Sequence, residues 1–375
     1  MKERIVVIDS NHPLSHKNQC FSPFCEYTGA GHAINVRLYK EAKKRGIKMM
    51  TQDVYLAYRK YYKKYDEAFC ITDMFTSYTK KLISKGVFPL ICICLESPIV
   101  AKKFYHNIDY YAKHFRHIFC YKGTERRLSR INTFFHPVIF PVETNEFLNF
   151  KSWAERKFLI LVNSNKGAIF RDWTNFKKII KSILWPLYEM SLKIVDPWMR
   201  IPELYKERVK AIYYFSNNSE IDLFGIGWQK PIIGFSNDYY RAILRVYKGV
   251  IPADIRIKRV VMSNYKFAIC FENCCFPGFI TEKIFDCFLA GCIPVYYGAP
   301  DITDFIPKET FIDFRNFRNY YELNKFLQNI TEKEAKFYLE AIQDFLRSKL
   351  FEKFTVNYFV NKIIDIISSE FFKTC

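Results

Sequence analysis

The sequence lacks any uninterrupted apolar run of the roughly 18 residues that a membrane-spanning helix needs, although half of its 375 residues are hydrophobic. This excludes a helical membrane-spanning protein and marks a globular chain, long enough for two or three domains with sizeable cores. No secretory leader is expected either, because the opening MKERIVVID runs from a charged start straight into a strand. The 12 cysteines form neither a disulfide framework nor a zinc spacing. Cys92 and Cys94 alternate within one apolar run, and Cys274 and Cys275 are adjacent. Reduced thiols and a cytoplasmic location are therefore expected. His12, His16 and His32 have no regular metal-ligand spacing. There is no RNP-type motif, zinc-finger spacing or basic tail, so nucleic acid is not expected as a partner. Internal repeats of about 20–50 residues and low-complexity segments are also missing.

Positive charge, in contrast, is abundant. The chain holds 57 Lys and Arg against 38 Asp and Glu, a formal net charge of +19. Residues 1–150 contribute 24 of those bases against 13 acids. Such an excess suits an anionic small molecule, or peripheral contact with an anionic membrane such as the inner face of a cell membrane.

The most informative stretch is Tyr265–Gly298, YKFAICFENCCFPGFITEKIFDCFLAGCIPVYYG. Its spacing predicts a strand over Lys266–Phe271, a polar end at Glu272-Asn273, a turn at Pro277-Gly278, and a helix opening at Thr281-Glu282-Lys283. Gly291 stops the helix and Ile293–Tyr297 begins the next strand. Open parallel sheets bind ligands beyond strand C-termini, beside helix N-termini. Lys283 falls in the first helical turn, where the macrodipole disfavours a cation. A bound phosphate would make it favourable there; otherwise the lysine is a solvated partner of Glu282 or Asp286.

A second apolar strand, Lys157–Val162, ends in Asn163-Ser164-Asn165-Lys166-Gly167 and leads to a helix from about Phe170 with Arg171 in its first turn. Two such cations could meet one diphosphate. Upstream, strands are expected at Arg4–Asp9, Glu67–Met74, Phe88–Leu95 and His117–Tyr121, with helices after Gly31 and near Ser77–Lys85. Tyr27-Thr28-Gly29-Ala30-Gly31 reads as a tight turn entering a helix or as an acceptor-binding loop, and lacks the third glycine of a dinucleotide fingerprint. Residues Phe134–Asn149, with two prolines, read as the inter-domain linker. Val356–Phe372 reads as a helix with Val360, Ile363, Ile364, Ile367 and Phe371 on one stripe.

FEN, ITEK, AGCIPVYYGAPDITDFIP and TFIDFRNF, all between Tyr265 and Phe317, resemble the donor-binding signature of the α1,3/α1,4-fucosyltransferases, glycosyltransferase family 10. Ile221–Trp228 resembles a further family element, with Phe224 where relatives have Tyr. The resemblance implies an α/β GT-B fold, two Rossmann-like domains facing across a cleft. It suggests an N-terminal acceptor-binding domain over 1–145, a C-terminal nucleotide-sugar-binding domain over 151–335, and C-terminal helices over 336–375 that pack back toward the first domain. It implies inverting transfer of L-fucose from GDP-fucose to a hydroxyl, such as O3 of GlcNAc or a related sugar, on a surface-glycan, lipopolysaccharide or lipid-linked acceptor. Relatives in animals carry an N-terminal membrane anchor and work in the Golgi; the opening seen here points to a bacterial or viral type.

This transfer requires a base for the acceptor hydroxyl and positive charge for the departing diphosphate. By resemblance Arg171 and Lys283 take the diphosphate, with Lys166 as a third cation. Glu282 contacts donor hydroxyls, and Glu272 with Asn273 belongs to the donor pocket. Phe279 packs where relatives often have Tyr, without its hydroxyl. Ser164 and Asn165 could reach phosphate oxygens or the nucleobase. Glu96, ending the apolar strand Phe88–Leu95 in a partly buried setting, is the candidate base, with Glu26 and Asp73 as rivals. No DxD metal motif accompanies the donor signature, so no metal cofactor is expected. Two other functions stay open: the same fold with a different nucleotide sugar, or a non-catalytic basic glycan-binding protein.

Overall fold

The structure is a computed structural model that describes residues 3–10, 13–24, 30–61, 67–72, 76–128, 133–144, 151–165, 200–230, 232, 234–252 and 254–373. The chain divides into two compact units, one made of Met1–Glu143 with Lys349–Cys375 and the other of Thr144–Ser348.

Unit 1 is built on a six-stranded parallel sheet: β1 (Arg4–Asp9), β2 (Lys48–Thr51), β3 (Glu67–Thr72), β4 (Phe88–Ile93), β5 (His117–Cys120) and β6 (Phe134–Pro137), in the order β2-β1-β3-β4-β5-β6. The inner strands are continuous apolar runs because helices cover both faces of such a sheet; Ile5, Val6 and Val7 are fully buried. Strand order reverses between β1 and β3, where Asp9 stands opposite Thr72 at the last registered pair. Helices α1 (Ala30–Lys44), α2 (Gln52–Tyr58) and α3 (Ser77–Ser84) connect the first four strands.

Residues 134–137, expected in the linker, instead form β6, an edge strand on which Pro137 is the last residue. An edge position tolerates a residue with no N–H. Chain that leaves β6 stays with unit 1: Val142 N donates to Phe354 O at 2.8 Å and Val142 O accepts from Val356 N at 3.1 Å. The helix Val356–Lys373 buries all five stripe residues named from the sequence. It packs Phe371 on Phe69, ring centroids 4.3 Å apart, and pairs Asp365 with Arg45 at 2.8 Å. An earlier helix, Glu332–Arg347, belongs to unit 2 and sets Phe345 against Phe288. The chain therefore re-enters unit 1 at Lys349, not at 336.

Unit 2 has its own parallel sheet: β7 (Lys157–Val162), β8 (Asp222–Phe224), β9 (Tyr247–Gly249), β10 (Tyr265–Phe271), β11 (Ile293–Tyr297) and β12 (Ile312–Asp313), in the order β12-β11-β10-β7-β8-β9. Read from its own first strand, this is the Rossmann order 6-5-4-1-2-3, which reverses between β7 and β10. The stretch Tyr265–Gly298 folds as its spacing predicts, with the helix at Glu282–Leu289 and Gly291 at φ +63° behind it. No disulfide joins the ten described cysteines, nine of which are buried. No described helix is long and apolar enough to cross a membrane.

Candidate functional site

The reversal between β7 and β10 leaves two polar strand ends side by side. On the β7 side, Asn165 N donates to Ile226 O at 2.8 Å and its Nδ2 to Gly227 O at 3.2 Å. Trp228 Nε1 donates to Asn163 O at 2.6 Å. Asn165 thus ties the loop after β7 to the loop after β8, and Ser164 sits half-buried between those fastenings. Gly225 makes this approach feasible. Its φ is +137°, and a Cβ there would stand 2.0 Å from Asn163 O, which no side chain could accept.

On the β10 side, Glu272 is fully buried one residue beyond the strand. Its carboxylate accepts from Thr281 N at 2.8 Å, from Thr281 Oγ1 at 2.8 Å, and from Lys283 Nζ at 3.0 Å. Thr281 is the N-cap of the following helix but makes no cap hydrogen bond of its own. Glu272 therefore supplies the negative charge that the helix N-terminus favours. Lys283 pairs with Glu272 and with Glu282, at 3.6 Å, and is largely buried rather than solvated. Asp286 is engaged elsewhere, by Lys258 at 2.7 Å and Arg259 at 3.2 Å. Burial depresses the Lys283 ammonium, yet the attraction of Glu272 and Glu282 outweighs it and leaves its pKa above the ordinary lysine value. Burial pushes the Glu282 carboxyl up, while the charges of Lys283 and Lys258 bring it below its usual value. Both groups are charged at neutral pH. Gly298 packs tightly against Glu272: a Cβ there would meet Tyr296 Oη at 2.5 Å and Glu272 Cγ at 2.6 Å.

The structure adds a residue that the sequence reading missed. Arg208, in the first turn of the helix Tyr205–Asn218, is almost fully buried. Its guanidinium donates to Phe271 O at 2.7 Å and to Asn273 Oδ1 at 3.0 Å, both neutral acceptors. Its Nη1 has no partner among the described residues. Burial lowers its pKa, with nearby Glu272 opposing, and its charge in turn lowers that of Lys283, so the two cations act on one another. The signal was a cation in the first turn of a helix, the same one noted at Lys283 and Arg171; the stretch YKERVK carries it as well.

Structure and sequence can be compared residue by residue. Glu272, Asn273, Glu282 and Lys283 come together with Arg208. Phe279 is buried as a packed ring. Lys166 and Arg171 lie outside the described residues, as do Glu26 and Asp73. Glu96, in unit 1, is exposed, not partly buried as expected. The neighbouring backbone is held from inside, by Tyr105 Oη to Glu96 O at 3.0 Å and Tyr121 Oη to Leu95 O at 2.7 Å, which leaves the side chain outside. No group of three or more metal-ligating residues occurs among the described residues.

With this geometry established, the chain was compared with known proteins. Residues 194–344 match the family model described as "Glycosyltransferase family 10 (fucosyltransferase) C-term". This segment is similar to the C-terminal domain of that family. The matched segment contains β8 to β12, Arg208 and the whole Glu272–Lys283 network. An α-(1,3)-fucosyltransferase FucT of Helicobacter pylori is 34% identical over 99 residues, 26% of this chain and 20% of the relative. A 4-galactosyl-N-acetylglucosaminide 3-α-L-fucosyltransferase 9 of Mus musculus is 38% identical over 80 residues, 21% of this chain and 22% of the relative. The matches thus span about a fifth of these relatives' length. Among solved structures, Anabaena Alr3699/HepE in complex with UDP and glucose superposes with a TM-score of 0.55 at 10% identity, over 97% of this chain and 99% of that one. The fold is GT-B.

Proposed function

We propose that the chain transfers L-fucose from GDP-fucose to a sugar hydroxyl, with inversion at the anomeric carbon and without a metal cofactor. The supporting observation is the pairing of Arg208 and Lys283 at the strand-order reversal of a domain similar to that of family 10. Both are fixed cations in first helical turns, and Arg208 has an N–H to spare. In the reaction the acceptor oxygen attacks the fucose C1, the bond from C1 to the β-phosphate oxygen breaks, and GDP leaves with both bonding electrons. Arg208 can donate its remaining Nη1 N–H to the diphosphate, and Lys283 can act as a point charge. Glu272 holds Lys283 in place rather than touching the donor, while Glu282 is exposed enough to accept from donor hydroxyls. We assign the base role to Glu96: its fixed backbone and free, exposed carboxylate suit it to take the acceptor proton. Ser164, Asn165 and Asn273 are assigned to the nucleotide, together with Lys166 and Arg171, named from the sequence. The acceptor reading, O3 of an N-acetylglucosamine unit in a surface glycan, follows the resemblance and the name of the mouse relative.

A different donor sugar is favoured by one observation, the absence of a hydroxyl at Phe279. Thermal-shift measurements with GDP, GDP-fucose, GDP-mannose and UDP-glucose separate the readings. GDP and GDP-fucose should raise the melting temperature and GDP-fucose should be slowly hydrolysed. Stabilisation by UDP-glucose alone would overturn the donor assignment, and binding with neither hydrolysis nor transfer would point to a non-catalytic glycan-binding protein.

The basic excess of residues 1–150 supports peripheral contact with an anionic membrane, each surface cation contributing about 1 kcal/mol at best. The protein should sediment with vesicles rich in anionic lipid at low salt and be released at high salt. Equal sedimentation with neutral vesicles would contradict an electrostatic origin.

A further inference from the structure

The sheet of unit 1 has a strand-order reversal of its own, between β1 and β3, and the residues there remain without a role in donor binding. In an open parallel sheet this is the place where the loops diverge and a ligand crevice forms. Asp9, the last residue of β1, is 1% exposed. Its Oδ2 accepts from Thr76 Oγ1 at 3.0 Å and from Thr79 Oγ1, at the start of α3. Its Oδ1 is buried and has no hydrogen-bond partner among the described residues. No Lys or Arg among the described residues is paired with it, and burial raises its pKa against the opposing effects of Thr79, Thr76 and His16. Anchoring α3 accounts for one carboxylate oxygen but not for the other.

His16 is close enough to act electrostatically on it, and the hydrogen bonds around the ring set the tautomer of its neutral form. Gln52 Oε1 accepts from Ser10 N at 3.3 Å and its Nε2 donates to Ser10 O at 2.8 Å, which sets which end of the amide is which. The same Nε2 is 3.0 Å from His16 Nε2 and must donate to it. The neutral ring therefore carries its proton on Nδ1, a donor. The loop that presents His16 is locked in place. Lys17 and Asn18 both have positive φ, +55° and +63°. Asn18 Oδ1 accepts from Thr51 N at 2.9 Å, and Lys17 N donates to Asp53 Oδ2 at 2.8 Å. Two consecutive non-glycine residues in the left-handed region are strained, and such strain gathers where a side chain must be held for a ligand. Tyr78, 40% exposed, sets its ring against that of His16 at 6.1 Å.

We propose that Asp9 and His16, at the strand-order reversal of unit 1, form a subsite that binds neighbouring hydroxyls of a pyranose in the acceptor. A carboxylate oxygen lacking a donor takes one hydroxyl's proton in a hydrogen bond. The imidazole Nδ1–H gives one to the next hydroxyl, and the exposed Tyr78 ring offers an apolar surface to the sugar's C–H groups. The carboxylate repels an anionic ligand, and the imidazole donor does not suit an ammonium, so a neutral polyol fits best. Naming this sugar as an acceptor rests on the transferase reading above; the subsite itself does not.

The test uses the full chain with Asp9→Asn and His16→Ala, and the disaccharide 4-galactosyl-N-acetylglucosamine as probe. Each variant should raise the KM for the disaccharide at least about tenfold, the size of loss expected when a hydrogen bond involving a charged or oriented group is removed. The KM for GDP-fucose, and its slow hydrolysis in water, should stay within about twofold, a selectivity that general loss of structure would not produce. An unchanged disaccharide KM in both variants overturns the proposal, as does a fall in kcat at constant KM, which would make Asp9 a proton acceptor instead. If Asp9→Asn fails to fold, His16→Ala decides by the same criteria. Should the wild-type chain show no transfer, the donor reading fails, and saturation-transfer NMR with galactose, glucose and N-acetylglucosamine still reads the subsite. Transfer of saturation that Asp9→Asn or His16→Ala abolishes supports it, whereas no saturation in the wild type, or equal saturation in the variants, overturns it.

Discussion

Replacing Lys283 with methionine is expected to lower kcat/KM for GDP-fucose by about 10²–10³-fold, the cost of removing one fixed donor from a charge-developing site. It should also destabilise unit 2, because Glu272 is fully buried and Lys283 is its only hydrogen-bonded cation among the described residues. An uncompensated buried carboxylate costs roughly 3–5 kcal/mol. The two effects are separable. In the double variant Glu272→Gln, Lys283→Met the buried charge is gone, so most of the stability should return while turnover stays low. Urea midpoints and initial rates on the same preparations provide the comparison. Recovery of turnover in the double variant would reduce Lys283 to a structural partner of Glu272. Arg208→Lys belongs in the same series. It keeps the charge but loses the fork that reaches Phe271 O and Asn273 Oδ1, so donor affinity should fall even though the net charge does not.

The other large effect is expected at Glu96. Glu96→Gln should leave folding and GDP affinity unchanged, because the side chain is exposed and, among the described residues, the unit 1 interior hydrogen-bonds to its backbone carbonyl. Transfer to an acceptor should fall by about 10²–10⁴-fold, the usual contribution of a general base. Rates measured on both sides of neutral pH guard against a shifted optimum. A variant that transfers at near wild-type rate throughout would pass the role to Glu26 or Asp73.

The βαβ unit at Tyr265–Gly298 was legible because each of its boundaries has a local cause. A buried parallel strand needs a continuous apolar run, the helix needs residues at spacings of three and four, and Gly291 takes the positive φ that ends it. The stripe of the final helix was legible for the same reason. What could not be read was pairing across distance. Glu272 and Lys283 are eleven residues apart, and nothing between them shows that the carboxylate folds back onto the helix start. Arg208 carried the right signal, but so did Arg171, and only the fold places Arg208 beneath Phe271 and Asn273. Short strands were the other loss. β2, β6 and β9 have three or four residues each, too few for a period to show, and the prolines near β6 imitated a linker.

Unit 1 is assembled from both ends of the described chain, whereas unit 2 is one continuous stretch. During synthesis this inverts the usual order, in which the first domain made is the first to fold. Unit 2 has all its residues once Ser348 has left the ribosome, but the sheet that begins at Arg4 lacks part of its cover until the helix Val356–Lys373 arrives. Until then the face that receives Val360, Ile364, Ile367 and Phe371 stays open, with Phe69 among the side chains it will meet. The last helix is therefore the closing step of the unit that emerges first.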